Sequence, residues 1–306
     1  MKLYTLENKK LSSVRFDEFK LEKDIQTLVE DNLVELFNLE FVKSEFTVKN
    51  FRIDTLGFDK ENKSFVIIEY KKTKSFSVID QGYTYLSLLL NNKSDFVLEY
   101  IENGNDSIRK DKIDWSQSRV IFVSPQFTDY QKHSINFKDV PFELWEIKRY
   151  KNNLVGLVQH KTSSNESVNT ISKSKDNIVN KVSKQVKVYS EEDHINKPKV
   201  TESIKEIYSE LKDRLLNLGD DIEIVPRSIY ISYKRKSNFF DIHFLKSGLW
   251  CWLNMKKGEL DDPKIITRDV SSIGHYGVGD YELFINEDSD LDYCMFLIKQ
   301  SYNKQD

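Results

Sequence analysis

Apolar residues recur at helical spacing in "LEKDIQTLVEDNLVELF", where Ile25, Leu28, Val29, Leu33, Leu36 and Phe37 share one face and predict a single amphipathic helix. Extended runs follow near 45–49, 52–58 and 65–71. A helix is predicted over 77–91, opened by Ser77 with Asp80 as its capping-box partner, and a strand over 96–100. Strands at 119–123, 142–149 and 154–159 complete residues 1–160, in which strands interleave with helices as in a compact mixed α/β domain.

From residue 161 the hydrophobic period is lost. The stretch "KTSSNESVNTISKSKDNIVNKVSKQVKVYSEEDHINKPK" is rich in Ser, Asn and Lys, with Tyr189 as its one aromatic residue, so 161–199 reads as a flexible linker. Its eight lysines against five acids make a basic tether that is either simply solvated or in touch with a polyanion. Beyond it, "TESIKEIYSELKDRLLNLG" predicts a helix with Thr201 as N-cap and Gly219 as C-cap. Strands near 229–234, 239–245 and 249–254 form an antiparallel meander, and a helix at 263–271, a strand at 281–285 and a helix at 289–301 complete a smaller α+β domain over 200–306.

Composition narrows the classes. The 306 residues are 39% hydrophobic and 31% charged, which suits one or two soluble domains with enough apolar material for their cores. Cys251 and Cys294 support neither a disulfide framework nor a four-ligand zinc site, and the five histidines show no metal-ligand spacing, so a reducing, cytoplasmic setting is expected. No run of eighteen apolar residues occurs and "MKLYTLENKKLSSV" lacks a signal-peptide core, so no membrane partner is expected. The net charge of −3 gives no basic footprint, and nucleic-acid binding would have to use local patches.

One hairpin carries chemistry. In "FRIDTLGFDKENKSFVIIEYKK" the turn-forming "DKENKS" separates two strand-like runs, and a symmetric hairpin would pair Phe58 with Phe65. That register sets Asp54 opposite Glu69, where like charges about 4.5–5.5 Å apart destabilise a sheet. Lys71 emerges on the same face as Glu69, so the compensating charge is either Lys71 or a divalent cation held by both carboxylates. Glu22 projects within about 40° of the centre of the first helix's apolar stripe. Gln81 and Tyr85, four apart in "DQGYTYLSLLL", share a face of the next helix.

The order Glu22, Asp54, Glu69-Tyr70-Lys71, then Gln81 with Tyr85 resembles the PD-(D/E)XK nuclease superfamily over residues 20–92, with "IDTLGFDKENKSFVIIEYKK" looking most like its NucS branch and the Gln-x-x-x-Tyr helix like RecB-type nucleases. Ile53 stands in place of the proline of the superfamily's name, and NucS-like relatives carry a different neighbouring domain. The resemblance implies a restriction-endonuclease-like mixed sheet flanked by helices and metal-dependent hydrolysis of DNA phosphodiesters. Mg²⁺ or Mn²⁺ would be held by Asp54 and Glu69, with Glu22 as a further metal ligand. Lys71 would act on the attacking water or the developing charge, Gln81 would orient the site or contact the phosphate backbone, and Tyr85 would pack beneath it or contact the nucleic acid. DNA is the implied partner, with RNA as the second candidate and a homodimer left open.

"KKGELDDPKIITRDVSSIGHYGVGDYEL" resembles a domain of unknown function found in nuclease- and restriction-related bacterial proteins, which suggests a recognition or interaction role and a setting in restriction or defence. Lys72 and Lys74, and Lys234, Arg235 and Lys236 in "YISYKRKSNFF", are further candidates for nucleic-acid contact. Each feature has a plainer counterpart. Glu69 and Lys71 could be an ordinary ion pair, Glu22 a favourable first-turn acid, Tyr85 and the Trp250/Trp252 pair core residues, and Gly274, Gly277 and Gly279 turn residues. The rival reading of the whole chain is a non-catalytic nucleic-acid- or protein-binding module on a nuclease-like scaffold.

Overall fold

The computed structural model describes residues 2–72, 77–103, 108–162, 164, 166–168 and 178–305, and the chain divides into two compact units, Met1–Val188 and Tyr189–Asp306. The first contains β1 (Tyr4–Glu7), β2 (Lys10–Ser13), α1 (Glu22–Glu30), α2 (Leu33–Phe37), β3 (Glu40–Val48), β4 (Phe51–Asp59), β5 (Ser64–Tyr70), α3 (Val78–Asn91), α4 (Lys93–Glu102), β6 (Arg119–Ser124), α5 (Asp129–Ser134), β7 (Phe142–Tyr150), β8 (Leu154–His160) and α6 (Ile178–Ser183). β3 to β8 form a six-stranded sheet in sequence order. β5–β6 and β6–β7 run parallel and the other pairs antiparallel, because the helical crossovers through α3, α4 and α5 return the chain in the same direction while short turns reverse it.

Both faces of this sheet are covered. Along β5, Phe65 and Ile67 face a core shared with Tyr83, Leu86 and Phe96, whereas Val66, Ile68 and Tyr70 face Ile25, Val29 and Leu33. Burial on both sides explains why β5 reads apolar at nearly every position instead of alternating.

The structure corrects three expectations in this unit. The long first helix is two: Asn32 leaves helical geometry and its side-chain amide donates to the Leu28 carbonyl at 2.8 Å, so the chain re-aims while Leu33 and Phe37 still reach the core of Ile25 and Val29. The strand expected at 96–100 is α4, whose Phe96 and Tyr100, four apart, pack on Phe65 and Phe58 with ring separations of 5.8 and 4.5 Å. A five-residue apolar run does not distinguish the two periods. The stretch expected as a flexible linker is packed over its described part: Val168, Val182 and Val186 are buried in the first unit's core, with Val182 on α6.

The second unit contains α7 (Glu192–Ile195), α8 (Glu202–Leu216), β9 (Glu223–Pro226), β10 (Ile231–Lys234), β11 (Asn238–Phe244), β12 (Leu249–Leu253), β13 (Arg268–Asp269), β14 (Tyr281–Ile285) and α9 (Leu291–Asn303). Residues 189–199 belong to it: His194 is buried, and Glu191 binds Lys212 at 2.8 Å. Its antiparallel sheet, ordered β13-β14-β12-β11-β10-β9, contains the expected meander β10-β11-β12 and packs its apolar face with α8 and α9. The helix expected at 263–271 is absent because the Asp262 carboxylate takes the Thr267 N–H and hydroxyl at 2.8 and 2.7 Å, an alternative to helical bonding. Asn217, not Gly219, caps α8, and Thr201 has the extended backbone of an N-cap without a side-chain cap bond. Gly279, at φ +94°, has no room for a side chain, since a Cβ there would lie 2.0 Å from the Leu253 carbonyl oxygen. Trp252 is fully buried and Trp250 half-buried, with their rings 5.9 Å apart.

Candidate active site

The β4–β5 hairpin adopts the register expected from its turn, with Phe58 opposite Phe65. Paired contact ends at Thr55 and Ile68, one step short of Asp54 and Glu69, so the strands part where the two carboxylates stand. Asp54 then takes up the slack with its side chain: Oδ2 accepts the Tyr70 N–H at 3.1 Å. β5 meanwhile continues on β6, the Lys71 N–H donating to the Val123 carbonyl at 3.0 Å.

Glu69 is 2% exposed. Its Oε1 accepts from Lys71 Nζ at 2.5 Å and from Gln81 Nε2 at 2.7 Å, while its Oε2 is buried without a hydrogen-bond partner. Gln81 Nε2 is also 3.1 Å from the Tyr85 hydroxyl, which donates to the Arg52 carbonyl at 3.4 Å. α3 can deliver Gln81 and Tyr85 to this point because Ser77 caps it, accepting the Asp80 N–H, and because Gly82 lets it lie against Phe142: a Cβ on Gly82 would sit 2.6 Å from that ring.

Glu22, at the start of α1, stands on the far side of Lys71, with Oε1 4.0 Å from its Nζ and Oε2 accepting the Lys72 N–H at 2.8 Å. The Lys72 ammonium turns to the Lys20 carbonyl. Lys74 lies outside the described residues. In the second unit, Lys234 ends β10, Lys236 is exposed in the following turn, and Arg235 binds Asp221 at 2.7 Å and stacks 4.4 Å over the Tyr302 ring, a packing role within its own unit.

Sequence reasoning missed the support beneath Asp54. Gln26, 4% exposed, donates to the Asp54 carbonyl at 2.9 Å, to Glu30 at 2.9 Å and to Ser44 at 3.1 Å, and Thr55 donates to Glu30 at 2.5 Å. The spacing of Glu22, Gln26 and Glu30, four apart along α1, was the available signal.

Burial, together with the charge of Glu69, pushes Asp54 up from 3.8 to about 6, against the pull of the Tyr70 N–H and Lys71. Burial alone would lower Lys71, yet its bond to Glu69 and the charges of Glu69, Asp54 and Glu22 hold it above its usual range, so it stays cationic. Among the described residues no group of three or more His, Cys, Asp or Glu is gathered to hold a metal. Asp54 and Glu69 nonetheless fit a hard divalent cation of the Mg²⁺ kind, which is bound by one or two carboxylates and otherwise keeps its water: both offer oxygen, and Glu69 Oε2 has no other partner.

The Asp54 shift sets a pH dependence. Between pH 3.8 and about 6 the folded protein holds a proton that the unfolded chain has lost, so this group's stabilisation is full below 3.8 and disappears as pH rises through about 6. The expected result is a metal-free protein that loses up to about 3 kcal/mol of stability over that window, while Asp54→Asn does not and melts higher at neutral pH. Calorimetry across pH checks it, and a lower neutral-pH melting temperature for Asp54→Asn would show instead that the carboxylate is held by Lys71.

Residues 191–305 match the model of DUF5655, a domain of unknown function. Among solved structures, a repair endonuclease from Pyrococcus abyssi is 18% identical over 39% of this chain and 44% of its own, with a TM-score of 0.24. An EndoMS–dsDNA complex is 16% identical over 44% and 60%, with a TM-score of 0.27. This chain thus spans less than two thirds of either endonuclease, and at such TM-scores the functional reading rests on the site itself. An uncharacterized protein of Haemophilus influenzae is 45% identical over 302 residues, 98% of this chain and 99% of the relative. This chain therefore belongs to the same family as that uncharacterized Haemophilus influenzae protein, with a DUF5655 domain over residues 191–305.

Proposed function

We propose that the chain is a metal-dependent nuclease that hydrolyses DNA phosphodiesters at Asp54, Glu69 and Lys71, with the residues from 189 onward forming a separate recognition unit. The observation that carries this reading is the convergence, at the parted end of β4 and β5, of two facing carboxylates, a buried carboxylate oxygen without a partner, and a lysine held cationic beside them. A structural ion pair would use Lys71 and Glu69 alone and would not set a second, partly desolvated carboxyl against them.

Asp54 and Glu69 would hold Mg²⁺ or Mn²⁺, which when bound supplies positive charge to the phosphoryl oxygens and acidifies an attacking water. Lys71 is protonated at neutral pH, so it donates a hydrogen bond to the water or to the developing negative charge and does not serve as the base. Gln81 fixes the Glu69 carboxylate, and Tyr85, kept as a phenol by burial, fixes Gln81. Gln26 braces the Asp54 main chain.

The test is incubation of supercoiled, linear and single-stranded DNA and of RNA with the full-length protein in Mg²⁺, Mn²⁺ or EDTA. Cleavage of DNA in the two metals and none in EDTA is expected. Because metal must displace the Asp54 proton, the rate should also fall as pH drops below about 6. Binding to DNA without cleavage in any metal would favour the non-catalytic module.

A further inference from the structure

Two strands beyond Lys71 a buried carboxylate is surrounded by more positive charge than it can neutralise. Glu146 Oε1 lies 3.2 Å from Lys132 Nζ and 3.0 Å from His160 Nε2, and Oε2 lies 3.1 Å from Lys148 Nζ. The Phe127 N–H adds a bond to Oε1 at 3.3 Å. Glu146 is 8% exposed, whereas the side chains of Lys132 and Lys148 keep 32% and 28% of their surface in solvent; the His160 Nε2 is itself buried against the carboxylate. One lysine would balance the carboxylate. Two leave a surplus positive charge even with a neutral imidazole.

The cluster is aligned with the candidate site. Tyr70 pairs with Val123 in the parallel β5–β6 ladder, which the Lys71 N–H continues, so Lys71 stands beside Ser124, and Ser124 pairs with Glu146. Neighbouring strands lie about 4.8 Å apart, which sets Glu146 about 10 Å from Lys71. Phe122 and Leu144 share the core of Phe65 and Ile67, so alternation brings Glu69, Lys71, Glu146 and Lys148 to one face of the sheet. With roughly 3.4 Å of axis per nucleotide in each strand, that distance spans about three nucleotides.

We infer that Lys132 and Lys148, held together by Glu146, form a subsite for the phosphodiester backbone of the nucleic-acid strand under attack, holding a phosphate about three nucleotides from the Asp54–Glu69–Lys71 site. This rests on the nuclease reading. Glu146 is a positioning residue: buried, yet drawn down to about 2 by Lys148, the Phe127 N–H, Lys132 and His160, it stays ionised and keeps two ammonium groups together that would otherwise repel.

The test measures binding of the full-length protein to fluorescent duplex DNA, single-stranded DNA and RNA of one sequence, in EDTA and across a salt series. Lys132→Ala and Lys148→Ala, made singly, each leave Glu146 one lysine, so the melting temperature should hold. Each should weaken binding roughly 3- to 10-fold whatever the base sequence, flatten the log–log salt slope by just under one unit, and raise KM with kcat kept, while Lys148→Arg binds as the wild type does. The polymer on which the slope flattens identifies the strand that the subsite holds. Unchanged affinity and slope beside a lowered melting temperature would overturn the inference, leaving the lysines as props for Glu146. In that case a wild type that still cleaves keeps the nuclease reading intact, whereas a wild type that neither binds nor cleaves any polymer removes both.

Discussion

Glu69→Ala should lower divalent-cation-dependent DNA cleavage by a factor on the order of 10² to 10⁴ while the fold persists. Two losses combine. The variant removes the buried oxygen without a partner, half of the carboxylate pair proposed to hold the cation, and it releases Lys71 and Gln81, whose positions are set by Glu69 Oε1 at 2.5 and 2.7 Å. Metal affinity and the orientation of the charge-stabilising lysine therefore fail together. The metal-free protein should not unfold, because Asp54 loses its repelling neighbour and Lys71 keeps a fifth of its side chain in water. Calorimetric titration with Mn²⁺ gives a second readout, and binding should weaken in step with the rate. A Glu69→Ala protein that cleaves at the wild-type rate would remove Glu69 from the site, and with it the proposed reaction.

Lys71→Ala should be as damaging to the rate and should also destabilise the protein, which Glu69→Ala should not. Removing Lys71 leaves Glu69, 2% exposed, without its counter-charge, with Gln81 still donating to it and the Asp54 carboxyl repelling it. Breaking a buried pair from one side costs about 3 kcal/mol, the low end of the range because Lys71 is partly solvated. Combining Lys71→Ala with Glu69→Gln should restore most of that stability but none of the activity, and the double-mutant cycle isolates the pair. Urea denaturation of the four proteins checks the first part and cleavage assays the second. Equal stability for wild type and Lys71→Ala would mean that the ion pair contributes nothing to the fold, as for most solvent-exposed pairs.

The hairpin that carries the site was legible because its determinants are local. A polar turn of "DKENKS" between Phe58 and Phe65 fixes the register, and the two-residue period of a strand then brings Glu69 and Lys71 to one face with Asp54 opposite. Ser77 and Asp80 announced the start of α3, and the spacing of Gln81 and Tyr85 gave their common face for the same reason. Local reading erred where a residue had a choice of partners. Asn32 could continue a helix or bond back to Leu28, and the Phe96–Tyr100 run suits a strand or a helix until Phe58 and Phe65 arrive to cover it. The valines of 168–186 are too sparse to reveal a period, yet a core built by other elements buries three of them.

By itself, then, the sequence determined the amphipathic face of α1, the start of α3, the hairpin register and the shared face of Glu69 and Lys71 with Asp54 on the neighbouring strand, all set by periods and turns within about twenty residues. Only the tertiary structure decided that β5 and β6 run parallel, that the strands part at Asp54, that Glu69 keeps one oxygen without a partner, and that Lys132, Lys148 and His160 meet around Glu146 on the face of Lys71. Those facts depend on strand order and on crossovers of tens of residues. No local pattern encodes them, because the free energy that selects them comes from burying both faces of the sheet at once.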